Sequence, residues 1–138
     1  MPEFHLDTIG PSGDCAIIRV TGEVDVSTVP MLRERMLELA AKGAVHLIVD
    51  MRGVDFLDSS GLGALVGGLK RLRERGGSLI PVISKPRILR IFQITGLSNA
   101  LPLQPSVPAA ITANAHWSEM AESEAGSAAD WCRLHDLR

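Results

Sequence analysis

From Val45 to Met51 the chain is almost unbroken apolar sequence, with Leu47, Ile48 and Val49 at its centre. Such a run suits a strand buried on both faces. Upstream, Phe4, Leu6 and Ile9 alternate with polar residues like a half-buried strand. The turn cluster Gly10-Pro11-Ser12-Gly13-Asp14 leads to a second strand over Ala16–Val20. The period then becomes helical: Val29, Leu32, Met36, Leu39 and Ala40 share one face, with Ser27 or Thr28 as cap and Pro30 in the first turn. Gly43 closes that helix. After the Val45–Met51 strand come a polar turn, a short apolar touch at Phe56-Leu57, and a second helix that ends at Gly76-Gly77. Leu79–Ile83 reads as a strand, and Pro86 starts a third helix with Ile88, Leu89, Ile91 and Phe92 apolar. Leu101 and Leu103 predict a last edge strand, and Val107–Ala115 a last helix.

A hairpin followed by alternating strands and helices implies right-handed crossovers onto a mixed sheet. The expected class is α/β, with a central sheet of four to five strands flanked by about four helices. At 138 residues the chain is long enough for one domain with a real core. That domain is expected over residues 1–115. From Trp117 the composition shifts to Ser, Glu, Ala and Gly, so residues 116–138 read as a flexible or loosely docked tail. Trp117 and Trp131 bracket its polar part, either as incidental aromatics or as a docking pair.

The formal net charge of −2 favours neither nucleic-acid phosphate nor an anionic membrane as partner. No apolar run approaches the roughly 20 residues of a bilayer span. The opening MPEFHLD lacks the basic and apolar regions of a secretory leader, so a cytoplasmic location is expected. Cys15 and Cys132 lie far apart and read as free thiols.

The second helix is built unusually. Leu62, Leu65, Val66, Leu69 and Leu72 make its core stripe, and the face opposite carries Ser60, Gly63, Ala64, Gly67 and Arg71. Glycine in a helix costs roughly 1 kcal/mol against alanine, so Gly67 and Gly68 together give up about 2. Two readings of this bare face stand: docking of another protein, or close packing within the domain. Ser59, at the head of the helix, occupies the place of an N-cap worth about 1 kcal/mol. The same place suits a phosphate, because free N–H groups and the positive dipole end point there. A phosphoryl group would add roughly −1.5 to −2 charges beside Asp58 and near Asp55. A partner fitted to a smooth patch would then have to desolvate a dianion, at a cost of about several kcal/mol.

The segment LIVDMRGVDFLDSSGLGAL resembles the signature of bacterial anti-sigma factor antagonists, which have the STAS fold. Flanking matches are Gly22-Glu23-Val24-Asp25 and Ser84-Lys85-Pro86 through Ile91-Phe92 to Thr95-Gly96-Leu97, so the resemblance spans about residues 4–114. It implies partner switching, and with no catalytic or metal-binding motif evident in the sequence the chain is expected to be a non-enzymatic switch without cofactor or metal. In that switch the unmodified protein binds an anti-sigma factor that is also a serine kinase, and the sigma factor is released. ATP-dependent phosphorylation then abolishes binding, and a metal-dependent serine phosphatase restores it. The family's acceptor directly follows Asp in the motif, which here is Ser59, and Asp25 is implied to lie near it. With the bare helix face, the candidate partner-binding set is Glu23, Asp25, Asp58, Ser59, Ser60, Gly61, Gly63, Ala64 and Gly67. A monomer or weak dimer is expected. The resemblance leaves open a STAS module of another signalling complex, or one that binds a small ligand.

Other chemistry finds little support. Gly63-x4-Gly68 is followed by Leu69 where a P-loop needs Gly-Lys-Ser/Thr. Ser59 lacks the Gly-x-Ser-x-Gly elbow of hydrolases, and a small hydrolase would need a general base within reach of it. His46 reads as a satisfied core histidine. Cys132-x-x-His135 is half a metal site with no visible other half.

Overall fold

The computed structural model describes residues 3–138, so Met1 and Pro2, at the head of the expected domain and of the leader reading, lie outside it. Strands β1 (His5–Ser12) and β2 (Cys15–Val24) form an antiparallel hairpin. Strand β3 (His46–Leu57) pairs parallel to β2, and β4 (Ser78–Val82) parallel to β3, giving the order β1-β2-β3-β4. Helices α1 (Val29–Ala41) and α2 (Ser59–Glu74) are the two crossovers. Both crossovers advance the sheet in the same direction, and their common hand puts both helices on one face. There, with α3 (Pro86–Ile94), they bury Ile18, Val20, Leu47 and Val49. The turn from α2 into β4 lies hard against β3: a Cβ on Gly77 would come within 2.0 Å of the Val45 carbonyl oxygen.

The alternate side chains Cys15, Ile17, Ile48, Ile80 and Val82 face the other way. Helices α4 (Val107–Thr112), α5 (Ala115–Ala125) and α6 (Ala128–Leu134) cover them. The expected single helix over Val107–Ala115 therefore breaks at residues 113–114. Asn114 caps α5 by accepting the Trp117 N–H at 3.1 Å, and Gly126 ends that helix at φ +89°. Ser127 then caps α6 by accepting the Asp130 N–H at 3.0 Å.

In place of a flexible or loosely docked tail, the segment after residue 115 forms part of a second core. Trp117 and Trp131 are fully buried and meet edge to face at 5.7 Å. Average composition misleads because burial is concentrated in two indoles together with Ala121, Cys132 and Leu137. Each large aromatic removes roughly 150–250 Å² from water, enough to anchor an otherwise polar segment. Cys15 and Cys132 are free, buried thiols, and desolvation pushes both thiols up from their ordinary pKa.

Two further expectations change. Strand β3 runs without a turn to Leu57, because Gly53, Val54, Phe56 and Leu57 keep pairing with Thr21–Val24 across two register shifts. Leu101 and Leu103 form no strand; a single parallel bridge between Val82 and Gln104 replaces it, and the sheet has four strands. Among the described residues, no helix is long and apolar enough to cross a membrane.

Candidate partner-docking site

β2 and β3 end side by side. Val24 pairs with Leu57, and the Asp58 N–H donates to the Val24 carbonyl at 3.3 Å. The residue after each pair is an aspartate that serves the helix which follows. One carboxylate oxygen of Asp25 accepts the Ser27 N–H at 2.9 Å, the Thr28 N–H at 3.2 Å and the Ser27 hydroxyl at 2.6 Å. These bonds, led by that of the Ser27 hydroxyl, hold the Asp25 carboxyl below its ordinary pKa. The Thr28 hydroxyl donates to the Glu23 carbonyl at 2.9 Å, and this ties the half-buried Glu23 to the start of α1. Two helix N-termini thus open together at the carboxyl ends of parallel strands, where open α/β sheets present their ligand sites.

The cap of α2 is Asp58, not Ser59. Its carboxylate accepts the N–H groups of Ser60 at 2.9 Å and Gly61 at 3.2 Å. Asp and Ser are about equal as caps. Here the strand decides: Asp58 keeps an extended backbone (φ −108°, ψ −174°) while its N–H still bonds β2, so the helix begins one residue later. Ser59 is therefore the first helical residue. Its side chain is exposed, and among the described residues its hydroxyl makes no hydrogen bond.

The bare face of α2 is narrower than the helical wheel predicted. Gly61 and Ala64 are buried, so neither offers a surface to a partner. A Cβ on Gly61 would stand 2.4 Å from Leu57 Cδ1 and 2.8 Å from Val24 Cγ1. Gly68 also faces inward, against Met36. The core stripe takes in residues 61, 64 and 68 because the start of α2 rests on Val24 and Leu57 at the ends of β2 and β3, while Gly68 two turns later packs on Met36 of α1 and Leu79 of β4. Gly63 remains exposed with nothing within 4 Å of an added Cβ, and Gly67 would meet only Arg71 Nη1 at 3.7 Å. With Ser59 and Ser60, these two glycines make the outward patch.

A cleft of about 460 Å³ runs beside the serine, lined by Val26, Val29, Pro30, Arg33, Ser59, Ser60 and Gly63. Sequence reasoning overlooked Val26, which is 75% exposed. Its signal was an apolar residue inside the polar capping segment Asp25–Thr28. Phe56, at 47% exposure, and Arg87 line a second cleft with Asp55. Asp55 pairs with Lys85 at 2.7 Å, so less negative charge faces a phosphate on Ser59 than the bare sequence implies. Among the described residues no histidine lines the cleft beside Ser59.

A family model of the STAS domain matches residues 8–110. The chain belongs to the STAS domain family. The anti-sigma-B factor antagonist of Bacillus subtilis is 38% identical over 86 residues, which cover 62% of this chain and 78% of that protein. Among solved structures, an anti-sigma factor antagonist from Mycobacterium paratuberculosis superposes with a TM-score of 0.72 at 29% identity, covering 80% of this chain and 93% of that one. The phosphorylated form of the Bacillus cell fate determinant SpoIIAA superposes at 0.61 with 25% identity, over 81% of this chain and all of the other. The STAS match ends at residue 110, so α5 and α6 lie beyond it.

Proposed function

We propose that this STAS protein is an anti-sigma factor antagonist that works in the cytoplasm by partner switching. In its unmodified form it docks an anti-sigma factor with serine kinase activity through Ser59, Ser60, Gly63, Gly67 and the cleft flanked by Glu23, Asp25, Val26 and Asp58. The sigma factor held by that partner is released. Phosphorylation of Ser59 ends the contact, and a serine phosphatase restores it. The observation that carries the reading is the position of Ser59: exposed, at the first turn of α2, with its hydroxyl free of the capping role. An N–H-rich helix terminus tolerates an added phosphate, so the switch need not unfold the domain. The names of the relatives support the antagonist role.

The test uses the full chain with ATP and each candidate anti-sigma kinase, with the phosphate located by mass spectrometry. Phosphate on Ser59 and loss of the complex are expected. The variant Ser59→Ala is expected to stay bound with ATP present, and Ser59→Asp to bind poorly. Phosphate at another residue, or equal binding by both variants, would sink the mechanism.

A further inference from the structure

At the opposite end of the sheet from Ser59, three side chains converge that the partner switch does not use. Asp14 lies in the β1–β2 turn, His46 opens β3 and His116 lies in the first turn of α5. Strand β3 separates the two ends by 12 residues, roughly 40 Å at about 3.3 Å per residue. One Asp14 carboxylate oxygen is 3.7 Å from His46 Nε2 and 3.5 Å from His116 Nδ1. The two imidazoles stack at 4.0 Å between ring centres, tilted by 18°. One ligand atom from each of the three residues falls within a 4.8 Å span.

We propose that Asp14, His46 and His116 bind a divalent transition-metal ion of the zinc class. Two imidazoles and a carboxylate form a donor set that zinc accepts, with bonds of about 2.0–2.2 Å. The two Asp14–imidazole spacings of 3.5–3.7 Å need to contract by only a few tenths of an ångström to share such an ion, and the imidazole stack has to splay so that both ring nitrogens, which lie within 4.8 Å of each other, face it. His46 is held for the purpose: it is buried, and its Nδ1 lies 2.8 Å from the Ser78 hydroxyl, which also accepts the Asn114 amide at 3.3 Å. In the tautomer whose Nδ1–H donates to that hydroxyl, Nε2 carries the free lone pair and faces Asp14. The Cys15 thiol donates to the other Asp14 oxygen at 3.5 Å. Asp14 and His116 also line an open cleft of about 370 Å³ with Glu119 and Glu124, which gives an ion a path in and room for water as a fourth ligand. The ion would clamp α5 to the ends of β2 and β3. This inference is independent of the proposed function.

The full chain is titrated with ZnCl2 by calorimetry, and Co2+ is used as a spectroscopic probe. One equivalent bound at micromolar affinity or tighter, with a cobalt spectrum of a four-coordinate site, is expected. Zinc should also raise the Tm of the wild-type chain. Because His116 and Asp14 are partly exposed, His116→Ala and Asp14→Asn should fold, and both should lose zinc affinity by at least about 10-fold. Ser78→Ala should lose about 10- to 100-fold through the orientation of His46. His5→Ala and His135→Ala should bind as the wild type does. Absence of zinc uptake, or uptake unchanged in His116→Ala and Asp14→Asn, would overturn the proposal.

Discussion

The glycines of α2 give a sharp test of which face the protein keeps bare. At Gly63 an added methyl group meets no heavy atom within 4 Å, and the backbone there is helical with negative φ. Gly63→Ala should therefore gain the full helix-propensity difference, about 0.8–1.0 kcal/mol. For a chain of this length that is a rise in Tm of about 3–5 °C. At Gly61 the same methyl would press on Leu57 Cδ1 at 2.4 Å and Val24 Cγ1 at 2.8 Å, both in the core. Overpacking of this kind costs about 1–3 kcal/mol, which outweighs the propensity gain. Gly61→Ala should thus be destabilised, by up to about 2 kcal/mol. Urea unfolding followed by circular dichroism measures both. A Gly63→Ala protein less stable than the parent would show that the residue packs against something, and the reasoning about an open face would fail. The functional counterpart is Gly63→Arg, expected to remain folded yet to lose its anti-sigma partner. Retention of that partner at full affinity would remove Gly63 from the docking surface.

Because Asp58 caps α2, Asp58→Ala should cost about 1 kcal/mol in denaturant unfolding, while Ser59→Ala stays within about 0.5 kcal/mol of the parent. Trp131→Ala should cost about 3–5 kcal/mol by removing half of the indole pair that anchors α5 and α6, and calorimetry would register it as a large drop in Tm. NMR titration should find the Asp25 carboxyl ionising below its reference of 3.8, and Ser27→Ala should bring it back toward that value. The sign follows from linkage: a depressed folded pKa adds stability above the unfolded value, and that contribution fades as pH falls through the folded one.

Sequence periodicity was enough for the hairpin, the α1 and α2 crossovers and the buried centre of β3. Side chains at period two or 3.6 report directly on which positions meet water. The residues alone singled out Ser59 as a residue at the head of α2, in the place of its cap; its part as phosphate acceptor rests on the family resemblance, and the cap is Asp58. Three matters were settled only in three dimensions. The pairing of β2 with β3 carried β3 through to Leu57 and gave the cap to Asp58, since a residue held in extended backbone beside a neighbouring strand does not have helical dihedrals. The packing of α2 on Val24 and Leu57 at one turn and on Met36 and Leu79 at another decided which glycines face inward, and a wheel drawn from the sequence holds no record of what lies opposite each position. Both crossovers fell on one face of the sheet, leaving Ile17, Ile48 and Ile80 to be covered by whatever chain remained. A segment whose average composition is polar could do so because its burial rests on Trp117 and Trp131, which fold back together only when the sheet is there to receive them.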